Sequence, residues 1–156
     1  MILLGLGSNM GKRSETLKAA FTDMLTYGIQ VELVSSFFET PAWGFTRLHA
    51  FVNAECSITY YGKPEDLLDA CQDIEQKHGR KRILKWGPRT LDIDILEFNC
   101  LEIHTDRLTL PHPYYKERAF VILPLLEILP DFIPTGQTRT IRELSEQLRE
   151  EAGRIS

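Results

Sequence analysis

Apolar residues recur along this chain in two periods, and the period changes at each turn signal. Residues 1–6 form a short apolar run that ends at Gly5-Leu6-Gly7-Ser8-Asn9, which reads as a strand running into a turn. Leu17, Ala20, Phe21, Met24 and Leu25 then follow helical spacing, and Gly28 is placed to end that helix. Residues 31–38 and 51–61 are rich in β-branched and aromatic side chains and predict two strands. Pro64 suits the first turn of a helix that carries Leu67, Leu68, Cys71, Ile74 and Glu75 on one face and stops at Gly79. Residues 91–98 predict another strand, turning through Asn99-Cys100 into a hairpin with 101–103. Helices are expected around 116–128 and 140–151, the last opened by Thr140-Ile141-Arg142-Glu143, a capping-box pattern. The order β-α-β-β-α-β predicts an α+β domain with helices packed on a largely antiparallel sheet.

The strand at 91–98 contains an oddity. Leu91, Ile93, Ile95 and Leu96 are interrupted by Asp92 and Asp94, two apart and so on one face, with Cα atoms roughly 6–7 Å apart. Like charges that close repel. One reading leaves them on a solvent face while Leu91, Ile93 and Ile95 point to the core. Another follows from the neighbouring Arg80, Lys81, Arg82, Lys85 and Arg89, a cationic run with no acid in it. Carboxylates beside cations fit a polyphosphate bound through Mg²⁺, which takes one or two carboxylates plus phosphate oxygens and water. Arginines would bind the phosphates as bidentate forks. Familiar phosphate loops are absent: Gly5-x-Gly7 has Met10 where a third glycine belongs, and Gly11-Lys12 has no glycine five before it.

Composition narrows the choice. At 156 residues, 43% hydrophobic and 26% charged, the chain is expected to be one domain, 1–156, with a core of ordinary size. A net charge of −4 argues against coating nucleic acid or an anionic membrane. Cys56, Cys71 and Cys100 are odd in number and form no CxxC pair, which suits a reducing cytoplasm and neither a disulfide framework nor a zinc site. The amino terminus lacks a basic leader, so no secretory signal is expected.

Gly79-Arg80-x-Arg82 followed by Trp86-Gly87-Pro88-Arg89-x-Leu91-Asp92-Ile93-Asp94 resembles the signature of the 6-hydroxymethyl-7,8-dihydropterin pyrophosphokinases of folate synthesis. Further segments are similar to that family in the same order: Gly5-Leu6-Gly7-Ser8-Asn9, Glu39-Thr40-Pro41 with Gly44, Phe51-Val52-Asn53, Leu110-Pro111-His112-Pro113 and Glu117-Arg118-Ala119-Phe120. The resemblance implies a ferredoxin-like domain that transfers the β,γ-pyrophosphoryl group of ATP to the pterin hydroxymethyl oxygen and releases AMP. It implies two Mg²⁺ ions on Asp92 and Asp94, with Asp94 able to accept the hydroxyl proton, and Arg82 and Arg89 as the main catalytic cations. ATP would contact Gln72, Glu75, Arg80, Arg82, Lys85, Trp86, Arg89, Ile95, Arg107, Thr109, His112 and Arg118. The pterin would lie among Thr40, Pro41, Trp43, Phe51, Asn53, Trp86, Asp92 and Phe120, the two phenylalanines stacking on the ring. The basic segment before the aspartates would close over the substrates as a lid. Lys85 stands where the family has arginine, replacing a planar fork with a point charge. The expected partners are ATP and the pterin, with no nucleic acid or membrane, and the expected state is a monomer.

Competing classes fit less well. Nucleotide-sugar transferases also use an Asp-x-Asp pair but need a larger domain. An RNA-binding module would show an RNP-type aromatic string and a basic surface. A regulatory module would not require paired acids beside an arginine run.

Overall fold

The alternation seen in the strands dictates a sheet with two different faces. The computed structural model describes residues 1–9, 12–40, 51–79 and 91–155, with backbone alone at Thr40 and 152–155. Strand β1 (Ile2–Ser8) is flanked by β4 (Phe51–Thr59) and β5 (Asp92–Phe98), both antiparallel to it. Strand β2 (Gln30–Val34) pairs with the other side of β4, and β3 (Phe38–Thr40) continues along that same side. The order β2-β4-β1-β5 is that of a ferredoxin-like sheet.

One face carries Ile2, Leu4 and Leu6 from β1, Val52, Ala54, Cys56 and Ile58 from β4, and Ile93 and Ile95 from β5. These pack on α1 (Arg13–Thr26) and α2 (Pro64–Lys77) through Leu17, Ala20, Met24, Leu67, Cys71 and Ile74. Each such leucine or isoleucine taken fully out of water contributes about 1.5–3 kcal/mol. Gly28 and Gly79 follow the two helices with φ of +72° and +88°, the left-handed conformation that glycine adopts without strain.

The opposite face is covered only in part. There Leu3 and Leu96 pack on Val121, Ile122 and Leu125 of α3 (Ala119–Ile128), with Ile141 and Leu144 of α4 (Ile141–Ile155) behind. Burial on both faces explains why Leu3 and Leu4 are adjacent and each fully enclosed. The capping box at the start of α4 forms: Thr140 N–H donates to Glu143 Oε1 at 3.1 Å and Glu143 N–H to Thr140 Oγ1 at 3.2 Å.

Three expectations require correction. Residues 101–103 do not pair with β5. Asn99 and Cys100 turn with φ of +49° and +62°, but the chain then forms a separate two-stranded ribbon, β6 (Ile103–His104) with β7 (Thr109–Leu110). The outer edge of β5 is already occupied: the Ile93 N–H donates to Glu75 Oε2 at 2.8 Å, and the Leu96 carbonyl accepts from His112 N–H at 2.9 Å. The strand expected over 31–38 breaks at Ser35, whose hydroxyl accepts the Glu55 N–H at 3.0 Å while Glu127 of α3 takes the Ser36 N–H at 2.7 Å. The helix expected over 116–128 is interrupted at Arg118, whose extended backbone separates a 3₁₀ turn (Tyr115–Glu117) from α3.

Candidate active site

On the partly covered face, strand register sets side chains in rows. Asn53 pairs with Gly7, which pairs with Asp92; one pleat deeper, Glu55 pairs with Gly5, which pairs with Asp94. In each row a glycine of β1 lies between two polar side chains, so the middle strand forms a bare floor. A Cβ on Gly7 would lie 2.9 Å from Asn53 Oδ1, and one on Gly5 would lie 3.2 Å from Glu55 Oε1. The glycines that failed to match a phosphate loop therefore serve the floor.

Above this floor is a cleft of about 240 Å³. Phe51 at the start of β4 and Phe120 in the first turn of α3 line it, with Asp92 and Asp94 on the β5 side and His112 and Arg118 also at its walls. The Arg118 guanidinium carbon lies 5.8 Å from the centre of the Phe120 ring. His112 Nδ1–H donates to the Pro113 carbonyl at 2.9 Å, which turns Nε2 toward Asp94 Oδ2, 4.0 Å away. The Asp94 side chain is 57% exposed, open to a ligand. Ile93 between the two acids is buried, as the alternation predicts.

Glu75, expected at the nucleotide, is a buried carboxylate on α2 that holds the backbone of Ile93. It thereby locks the stretch of β5 that presents both aspartates. Gln72, one turn earlier, meets Arg107: the guanidinium donates to Gln72 Oε1 at 3.4 Å and to Asp69 Oδ1 at 2.6 Å. That bond to Asp69 raises the Arg107 pKa further above its ordinary value. Thr109 lies in the β6–β7 ribbon opposite His104. The Ile95 side chain is turned into the helix-side core, so only its backbone is available to a nucleotide. The Thr40 backbone pairs with Phe51 at the edge of the cleft. Pro41, Trp43, Arg80, Arg82, Lys85, Trp86 and Arg89, and with them the expected lid, lie outside the described residues.

Sequence reasoning missed Glu55. It is 2% exposed, and burial first, then the nearby Asp94 charge, pushes its carboxyl well above the usual carboxylate range. Its alternation with Phe51 and Asn53 along β4 was the available signal. Neighbouring Cys56 faces the other way, and burial raises its thiol to about 12. Burial likewise raises Cys71, so neither buried thiol is a nucleophile. Deeper still, the Tyr115 hydroxyl donates to Glu97 Oε2 at 2.5 Å, and Thr135 Oγ1 donates to Glu97 Oε1 at 2.5 Å.

Fold and cleft together define an α+β domain that can hold a flat polar ring between aromatic walls beside a pair of carboxylates. A sequence model of the 7,8-dihydro-6-hydroxymethylpterin-pyrophosphokinase (HPPK) family matches residues 3–130. A Methylorubrum extorquens protein named 2-amino-4-hydroxy-6-hydroxymethyldihydropteridine pyrophosphokinase is 42% identical over 146 residues, 93% of this chain and 91% of that one. An Aquifex aeolicus protein of the same name is 37% identical over 94% of this chain and 91% of its own. The chain belongs to the HPPK family, and with it to the transferases of folate biosynthesis. In fold it is similar to a solved HPPK-DHPS chain in complex with substrates, with a TM-score of 0.78 at 15% identity. That match covers 98% of this chain but 44% of the other, so this chain spans less than half the length of that one. Among the described residues no helix is long and apolar enough to cross a membrane.

Proposed function

We propose that this chain transfers the β,γ-pyrophosphoryl group of magnesium-bound ATP to the hydroxymethyl oxygen of 6-hydroxymethyl-7,8-dihydropterin, releasing AMP. The carrying observation is that one cleft brings together Asn53 and the aromatic walls with Asp92 and Asp94, both two strands from Asn53 across a glycine floor. A flat ring between Phe51 and Phe120 would meet Asn53 at its polar edge and place a ring substituent toward the aspartates.

The donor set suits magnesium. Asp92 and Asp94 offer hard oxygen ligands, and among the described residues no group of three His, Cys, Asp or Glu converges into a closed metal cage. An open pair of carboxylates is what a cation needs when phosphate oxygens and water complete its shell. When bound, two magnesium ions would neutralise phosphate charge and acidify the substrate hydroxyl.

In the proposed reaction the hydroxymethyl oxygen attacks the β-phosphorus, and the bond from that phosphorus to the α–β bridging oxygen breaks. AMP leaves with the bridging oxygen, and the hydroxyl proton passes to Asp94 and on to solvent. Asp92 and Asp94 orient the reacting groups. His112 and Arg118 face the phosphates across the cleft, and Gln72 with Arg107 marks the nucleotide's far side. Arg82 and Arg89 supply catalytic charge, helped by Arg80 and Lys85, while Trp86, Pro41, Trp43 and the Thr40 backbone close around the pterin; these roles rest on the sequence motif. The chain is proposed to act as a cytoplasmic monomer, which its free thiols at Cys56, Cys71 and Cys100 suit.

The test is product analysis. Protein mixed with Mg²⁺, ATP and the hydroxymethyl pterin should yield AMP and a pyrophosphorylated pterin, and chelation of Mg²⁺ should stop it. Formation of ADP, or turnover indifferent to chelation, would contradict the proposal.

A further inference from the structure

One polar group on the floor of the cleft takes part in none of these steps. Glu55 lies two residues along β4 from Asn53, and therefore on the same face. Both its backbone groups are held by one residue: its N–H donates to Ser35 Oγ at 3.0 Å, and its carbonyl accepts from Ser35 N–H at 2.9 Å. The root of the side chain is thus well defined. From there the carboxyl lies across Gly5, in the row that ends at Asp94. It is 2% exposed, and among the described residues its Oε2 has no hydrogen-bond partner.

A buried carboxyl oxygen without a partner destabilises a folded chain. The other side chains that β4 buries on its helix side, Val52, Ala54, Cys56 and Ile58, show that the strand readily takes apolar residues. Glu55 also borders the cleft, and the absence of any side chain on Gly5 leaves room for its carboxyl at the floor, where a Cβ would stand 3.2 Å from Oε1. We propose that Glu55 is a substrate-binding residue whose inward carboxyl oxygen hydrogen-bonds a ring N–H of the flat heterocycle held between Phe51 and Phe120. This inference rests on the pterin reading above and deepens it. Asn53 serves one part of the polar edge, and Glu55, one pleat deeper, serves the part nearer Asp94. A pterin carries several N–H groups around its ring and so has donors for both. Rings of the same shape without that donor leave Glu55 desolvated and unpaired, which is how a polar pocket rejects an isostere.

The experiment compares two replacements of similar length in the full chain. Glu55→Gln keeps an oxygen acceptor, and Glu55→Met keeps the volume without one. Calorimetric titration uses 6-hydroxymethylpterin and, separately, the α,β-methylene analogue of ATP with Mg²⁺. Glu55→Gln should bind the pterin within about threefold of the unaltered chain, whereas Glu55→Met should bind it at least about tenfold more weakly, a typical effect of one lost hydrogen bond to a buried group. Both should bind the nucleotide analogue within about twofold, since Glu55 touches only the ring. Pterin affinity in Glu55→Met equal to that of the unaltered chain overturns the inference while leaving the pterin reading intact. If the unaltered chain itself binds the nucleotide analogue but no pterin, the pterin reading falls, and this inference with it.

Discussion

Asp92 and Asp94 share one face of β5 because Ile93 between them is drawn into the core and its N–H is held by Glu75. Their mutual repulsion is a standing cost that a bound cation would remove. Asp92→Ala or Asp94→Ala should therefore lower turnover at least about a hundredfold, roughly 2.7 kcal/mol of transition-state stabilisation. Neither change should unfold the protein, since one acid fewer relieves repulsion, and thermal unfolding of the metal-free variants should show an unchanged or raised midpoint. Near-normal turnover in both would remove the carboxylates from the chemistry. Glu97 shows the opposite use of a buried acid. Tyr115 and Thr135 satisfy both of its oxygens, and burial, then the hydrogen bond to Glu97 and its charge, raise the Tyr115 hydroxyl far above its ordinary value, so the pair is structural.

Among the elements, β1 is the one whose sequence serves two masters. Ile2, Leu4 and Leu6 bury one face, while Gly5 and Gly7 strip the other so that side chains of β4 can lean across it. Alanine is a better strand residue than glycine in backbone entropy, so Gly7→Ala has little reason to unfold the sheet. Its Cβ would nonetheless stand 2.9 Å from Asn53 Oδ1, and the mobile end of Asn53 must swing away. Pterin affinity should fall at least about fivefold through the lost edge contact, with binding of the nucleotide analogue nearly unchanged. Titration of the two ligands separates these effects; equal weakening of both would mean that the floor has moved as a whole. Helix α3 makes a second boundary, since its first turn supplies Phe120 to the cleft while Val121, Ile122 and Leu125 close the rest of the face.

At the scale of the whole molecule, a raised carboxyl links stability to pH. Glu55 holds its proton more tightly in the fold, where burial and Asp94 disfavour the charge, than in the unfolded chain. Both states are protonated below the unfolded value. As pH rises past it, the unfolded chain ionises first and stability is lost until the folded value is passed. Glu55→Gln has no such proton to release. The stability advantage of Glu55→Gln over the unaltered chain should therefore grow over the interval in which pH rises through and above the unfolded carboxylate range. Urea denaturation of metal-free protein across that interval measures it. A difference that stays flat would mean that the carboxyl is ionised in the fold.

Much of this architecture is local in origin. Alternation in β1, β4 and β5 marks which residues share a face, Thr140 with Glu143 marks where α4 begins, and the Asp92–Asp94 spacing puts both acids on one side of their strand. Each depends on residues within a few positions of one another, so the chain alone determined them, together with the motifs that point to a pyrophosphokinase. Distant pairings decided the rest. The two glycines acquire a purpose only when β4 and β5 are set on either side of β1, and Glu55 joins the cleft only through its register with Gly5 and Asp94. The predicted hairpin at 99–103 failed for the same reason: residues from α2 and from the segment after β7 had claimed the edge of β5. Periodicity records which side of an element is apolar, but neighbours in space compete for the same backbone groups, and only the folded chain settles that competition.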